Sequence, residues 1–230
     1  MTDPSLIASD GREQRRDLAL ATWGLFVGLA FVMLAGGLFG TLLGVRSERT
    51  GLPTVVSSLI SASYYVGFLV GSRATLRGLG RVGHIRVYSA LASLLAAAMI
   101  GVGITESPAA WALLRLVTGL CTAGLYVVAE SWLNDLATNE NRGRLLAVYG
   151  VVTVAFFGIG QIALSVFNPL LVTGFAVAAI ITSLGVAPVA LSEAAVAPNL
   201  EEAEHISLRE LAKVVPTGVF SCLLDRKSVV

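Results

Sequence analysis

Charge is scarce in this sequence: Asp, Glu, Lys and Arg together make up 13% of it, against 55% hydrophobic residues. A soluble domain carries about a quarter charged residues and interrupts its apolar positions with polar ones every turn or two. Here the few charges are clustered and long stretches have none, so lipid is the expected solvent for most of the chain. Histidine and cysteine are scarcer still. His84 and His205 lie in polar segments, and Cys121 and Cys222 are far apart, which gives neither metal-ligand spacing nor a disulfide framework. No Gly-x-Ser-x-Gly element is present, and no basic stripe with interleaved aromatics accompanies the formal charge of +1. A nucleic-acid partner is therefore excluded, and no cofactor or metal is expected.

What the sequence does have is long uncharged runs. A helix crossing the hydrocarbon core needs about 20 apolar residues. Six candidate spans can be read, at 18–44, 53–76 (with Arg73 near its end), 87–105, 109–134 (with Arg115 and Glu130 inside it), 145–167 and 170–191. The last two form one stretch too long for a single span, and Asn168-Pro169 is the turn signal that divides it. The first run follows a polar leader and is too long for the apolar part of a signal peptide, so it reads as a retained helix. The expected fold is an all-α integral membrane protein built as a six-transmembrane-helix bundle.

Positive loops stay on the cytoplasmic side. With the leader inside, Arg12, Arg15, Arg16, Arg73, Arg77, Arg81, Arg86, Arg142, Arg144, Arg209 and Lys213 fall on that side, and only Arg46 and Arg49 fall outside. This predicts a multi-pass protein of the cytoplasmic (inner) membrane with both termini cytoplasmic. By domain, residues 1–17 read as a cytoplasmic leader and 18–191 as the transmembrane domain. An acidic linker at 192–213 then leads to the apolar start of a truncated seventh helix at 214–224. Residues 225–230 resemble the translation of a sequencing-library adapter and are expected to be a non-native tail.

A charge within a span costs roughly 2.5–3.5 kcal/mol on insertion scales, so each one marks a candidate functional site. The fourth span carries two, Arg115 and Glu130, and Gly119, Thr122, Tyr126 and Asn134 continue at steps of three or four, a polar stripe along one helix face. A stripe of this kind must face protein or water. Two other roles fit the charges: Arg115 could snorkel to the outer headgroups, and Glu130 could sit at the inner interface beside Trp132, an aromatic-belt residue. Tyr64, Tyr65 and Ser61 in the second span and Gln161 in the fifth could hydrogen-bond a substrate or act as glue between helices. Gly36, Gly40 and Gly44, like Gly67 and Gly71, repeat at the spacing that lets helix backbones approach closely. Gly150, Gly158 and Gly160 offer flexibility or close contact in the fifth span.

Two motifs carry a family resemblance. Arg115, Gly119 and Ala123 match the fourth-helix signature of the major facilitator superfamily, and the loop from Leu76 to His84 resembles its motif between the second and third helices. That loop keeps Arg81 and Gly83, but has Gly80 where an Asp is usual and Leu76 where a Gly is usual. The Asp normally helps lock the two halves of the protein together on the cytoplasmic side. Ala129-Glu130-Ser131-Trp132-Leu133-Asn134, followed by Asn141-Arg142-Gly143-Arg144, is similar to a bacterial branch whose substrates are mostly unassigned. The fifth helix lacks the Gly-Pro pair of drug-proton antiporters, which argues against drug export.

The resemblance implies the amino-terminal half of such a transporter, two inverted three-helix repeats, working by alternating access with substrate held near the midplane. Arg115 would hold an anionic group or tune a proton carrier, with Gly119, Thr122, Tyr126, Glu130, Tyr64 and Gln161 as further substrate or coupling candidates. Arg77, Arg81, Gly83 and Arg142 would form the cytoplasmic gating loops, and Glu130 would join Arg142 or Arg77 in a charge network. The implied partners are a small-molecule substrate, a coupling proton with no carboxylate in the first helix to carry it, the lipid bilayer and the missing carboxy-terminal half of the same protein. A six-helix channel or a non-transporting membrane scaffold stays open as an alternative. A membrane-embedded enzyme is disfavoured because no nucleophile-base pair falls at membrane depth.

Overall fold

The computed structural model describes residues 4–192, with side chains from Thr22 onward. Helix α1 runs Pro4–Arg49, α2 Thr54–Val82, α3 His84–Ile104, α4 Pro108–Leu136 and α5 Arg142–Ile162. A 3-10 turn, Ala163–Val166, extends α5, and α6, Val172–Leu184, continues into the short α7, Val186–Ala190. Six of these segments are long and apolar enough to cross a membrane: Thr22–Arg49, Thr54–Val82, His84–Ile104, Pro108–Leu136, Arg142–Val166 and Val172–Ala190. Among the described residues there is no strand. The expected linker, truncated seventh helix and tail lie outside the described residues.

The breaks between spans follow local chemistry. The chain leaves α1 through a Schellman motif: the amide of Leu52 donates to the carbonyl of Ser47 and that of Gly51 to Glu48, with Gly51 at φ 70°. Pro108 opens α4 in the first helical turn, where its missing amide costs nothing. Gly83 alone separates α2 from α3, at φ 84° and ψ 165°, a backbone conformation that only glycine adopts readily. The motif glycine of this loop therefore has a conformational reason to be there. At Asn168-Pro169 the chain turns as expected, with the Asn168 side-chain oxygen accepting from the amide of Leu170.

The packing has an internal symmetry. Helix α2 packs mainly on α4 and α5 on α1; α3 packs on α4 and α6 on α1; α3 and α6 pack on each other. Exchanging α1, α2 and α3 for α4, α5 and α6 swaps the first four pairings in twos and maps the α3–α6 pair onto itself, and an odd number of spans per repeat makes the two repeats inverted. Glycines set the two closest crossings. A Cβ at Gly67 or Gly71 would run into the carbonyls of Leu116 or Leu120, and one at Gly119 into that of Tyr64. At the matching crossing, Gly37 lies against the carbonyl of Phe157 and Gly160 against that of Leu34.

The expected glycine stripe of α1 needs correcting. Gly40 and Gly44 face open space and Gly36 meets only the Phe157 ring, while Gly37, one position over, is where α5 crosses. In α5, Gly150 and Gly158 are likewise open, and Gly160 makes the contact.

The core runs along α1, the most buried span, with Leu25, Leu29, Leu38 and Leu42 fully enclosed and Phe39 edge-on to Phe175 at 6.0 Å. Helices α2 and α5 are the least buried, and they present Val55, Leu59, Val66 and Leu69, and Val151, Val154 and Ile162, outward. A face this apolar fits a lipid or a helix neighbour and not water.

Candidate functional site

The described helices line a partly open cavity of about 180 Å³. Four residues of α4 line it at helical spacing, Arg115, Thr118, Thr122 and Tyr126, because the polar stripe of that helix turns inward here. Opposite them stand Val32, Met33, Gly36, Phe39 and Gly40 of α1, Tyr64 and Tyr65 of α2 and Phe157 of α5; Leu95 and Met99 of α3 close the floor.

The Arg115 guanidinium lies 4.6 Å from the Tyr64 ring centre and 5.6 Å from that of Phe39, held between two π faces. Its Nε is buried without a hydrogen-bond partner, and among the described residues no carboxylate pairs with it. Three nearby hydroxyls already donate within the protein. Thr118 donates to the carbonyl of Arg115 at 2.8 Å, Thr122 to that of Thr118 at 2.8 Å, and the Tyr126 hydroxyl to Met33 Sδ at 3.1 Å.

Of the candidates named from sequence, Arg115, Thr122, Tyr126 and Tyr64 thus come together around one cavity. Gly119 lies beneath them as a packing position against α2. Gln161 is exposed near the end of α5 and does not line the cavity. Glu130 is exposed further along α4 and accepts a hydrogen bond from the Tyr149 hydroxyl at 3.0 Å. The expected charge network of Glu130 with Arg142 or Arg77 is not formed: all three are exposed, and the tyrosine of the adjacent helix takes the carboxylate instead. Arg77 and Arg81 end α2 and Arg142 begins α5, all solvent-facing, with Gly83 between α2 and α3.

Two clusters went unforeseen. At the α1–α2 end, Arg46 is only 6% exposed although it counts as an outer-loop charge in the sequence. It donates to the carbonyls of Val102 and Gly103 at 3.3 and 3.0 Å, closing the carboxy-terminal turn of α3, and lies 5.2 Å from the Trp111 ring and 5.3 Å from Phe175. Trp111 Nε1 donates in turn to the Thr105 carbonyl at 3.0 Å. At the opposite end, His84 Nε2 is 3.1 Å from Ser131 Oγ and 3.7 Å from Asp135, and its ring lies against Trp132. Trp132 is therefore buried as part of this joint between α3 and α4, and is not an aromatic-belt residue.

Together these features define a class: a multi-pass, all-α membrane bundle of two inverted three-helix repeats around a cavity that holds one cation. Its sequence is similar to transporters of the major facilitator type. It is 34% identical over 141 residues to the uncharacterized MFS-type transporter YcaD of Salmonella arizonae, and to the proteins of that name from Salmonella newport and Salmonella typhi to the same degree. The match takes in 61% of this chain and 37% of each relative, so the chain spans well under half the length of the curated relatives it matches. No family model matches the chain. The resemblance to the major facilitator superfamily nevertheless rests on sequence.

Proposed function

We propose that this chain is the amino-terminal half of a secondary transporter that moves a small solute by alternating access. In this reading a second six-helix bundle faces the exposed sides of α2 and α5 and completes the cavity. The observation that carries the reading is Arg115: a cation within a span, with no carboxylate partner among the described residues, that lines the cavity. Such a charge is costly, and its retention is most simply explained by a ligand group that offsets it. Arg115 binds an anionic group of the solute, and Tyr64, Thr122 and Tyr126 shape the wall beside it. Glu130, at the water-exposed end of the same stripe, is the carboxylate placed to carry a coupling proton.

The arginine distribution supports an orientation with the α2–α3 and α4–α5 turns, and both termini, on the cytoplasmic side of the inner membrane. Arg77, Arg81 and Arg142 then form a cationic rim around Gly83 at the cytoplasmic mouth. The test is transport by the complete protein. Arg115→Ala should abolish uptake or efflux while membrane insertion is unchanged, and Arg115→Lys should impair it, because a point charge cannot replace the planar fork. If both variants insert and transport like the parent, Arg115 is an interface anchor and the reading is wrong.

A further inference from the structure

We infer that the joint between α3 and α4 is a proton-operated latch: His84, once protonated, draws Asp135 into a charge-assisted hydrogen bond and ties the start of α3 to the end of α4. The inference goes beyond the transport reading and needs neither the solute nor Arg115.

Its first support is geometry. His84 is buried, its Nε2 lies 3.1 Å from Ser131 Oγ, and Asp135 Oδ2 stands at 3.7 Å, just beyond hydrogen-bond reach. A neutral imidazole is satisfied by the serine hydroxyl, as donor or as acceptor according to its tautomer. In the imidazolium, Nε2 is always a donor, and a carboxylate within about 4 Å favours the charge it carries. Asp135 is 46% exposed in the last turn of α4, so its side chain has room to close the gap of about 1 Å to a charge-assisted bond.

The second support is the isolation of the pair. Among the described residues, α6 and α7 carry no titratable group, and α1 carries none from Thr22 to Val45. On α4, Glu130 is engaged by Tyr149. On α2, Arg77 and Arg81 are exposed; on α3 itself, Arg86 is exposed and Tyr88 is buried a turn further on. Burial of the ring opposes its protonation and Asp135 favours it. The helix ends offset each other: His84 opens α3, where a cation is disfavoured, and lies against the last turn of α4, where a cation is favoured.

The third support is leverage. Gly83 is the one residue between α2 and α3, so whatever holds His84 also holds that turn. Asp135 is one residue from the end of α4, just before the turn into α5. The latch thus joins the two turns placed on the cytoplasmic side in the orientation proposed above, and acid on that side stiffens them while neutral pH frees them.

The experiment uses the full chain in lipid nanodiscs. The chain holds two histidines, so His205→Gln leaves His84 as the sole imidazole, and its carbon-13 signal is followed by NMR. It should titrate between about pH 5 and 8. Asp135→Asn, a change at a half-exposed position that leaves the fold alone, should lower the midpoint by about half a pH unit. Amide hydrogen exchange in the last turn of α4, corrected for its intrinsic pH dependence, should be several-fold slower at about pH 5 than at about pH 8 in the parent and equal at the two in Asp135→Asn. No titration in this range, or a midpoint unmoved by Asp135→Asn, overturns the inference. So does a titrating His84 whose protonation leaves the exchange of α4 unchanged, since the ring would then take up a proton without closing anything.

Discussion

Arg46 offers the sharpest test of the packing, because the structure and a count of loop charges assign it opposite roles. Replacing it by Met keeps most of the apolar stem and deletes the guanidinium. Two hydrogen bonds to the Val102 and Gly103 carbonyls are lost, at about 1.5–3 kcal/mol each for a charged donor. Two cation–π contacts, to Trp111 and Phe175, add about 0.5–2 kcal/mol each. Against this, the variant no longer desolvates a charge, which returns several kcal/mol. The net expectation for Arg46→Met is a loss of about 3–5 kcal/mol, and about half that for Arg46→Lys, which keeps the charge and reaches one carbonyl. At about 2–4 °C per kcal/mol for a chain of this size, the Met variant should unfold roughly 6–20 °C earlier. The assay follows exposure of the buried Cys121 to a thiol-reactive fluorophore during heating, in a Cys222→Ser background. An Arg46→Met midpoint within about 2 °C of the parent would show that Arg46 is a surface charge and that the corner it closes contributes little.

The close crossings predict a contrast between glycines. Gly119→Leu should abolish recovery of monodisperse protein, because its side chain meets the backbone of Tyr64, whereas Gly44→Ala, which faces open space, should purify like the parent. Normal yield from Gly119→Leu would refute the α2–α4 crossing. For orientation, Arg49, Arg81 and Arg142 are all exposed, so accessibility does not bias the comparison. In intact cells, an impermeant thiol reagent should label Arg49→Cys and spare Arg81→Cys and Arg142→Cys; labelling of the latter two would invert the topology.

Span number and the polar stripe of α4 were legible in the sequence because both are periodic along a single helix. Hydropathy locates a span without reference to its neighbours, and a 3.6-residue period puts Arg115, Thr122 and Tyr126 on one face before anything is known of what they face. Pairing between helices was less legible. Gly36, Gly40 and Gly44 have the right spacing for a close crossing, yet the contact falls on Gly37, since spacing does not say which flank of a helix its partner approaches. The apolar half of the cavity, Phe39, Met33 and Phe157, carries no sequence signal that separates it from core or lipid-facing residues. Gln161 shows the converse: it is polar within a span, yet it does not line the cavity. Arg46 was hidden by its position, since a cation just past an apolar run reads as a loop charge until α3 is seen to end beside it.

The exchange of partners between the two repeats bears on how the chain is made. Helices α1, α2 and α3 touch one another sparingly; α2 finds its main surface on α4, and α1 finds its own on α5 and α6. A ribosome delivering this chain from its amino terminus therefore releases three spans that have almost nothing to pack against. They must wait in the bilayer or beside the insertion machinery until the fourth and fifth emerge. Sequence-distant contacts of this kind are closed late and slowly. The arrival of α4, with Gly119 against α2, gives α2 and α3 their partner, and α1 waits further for α5 and α6.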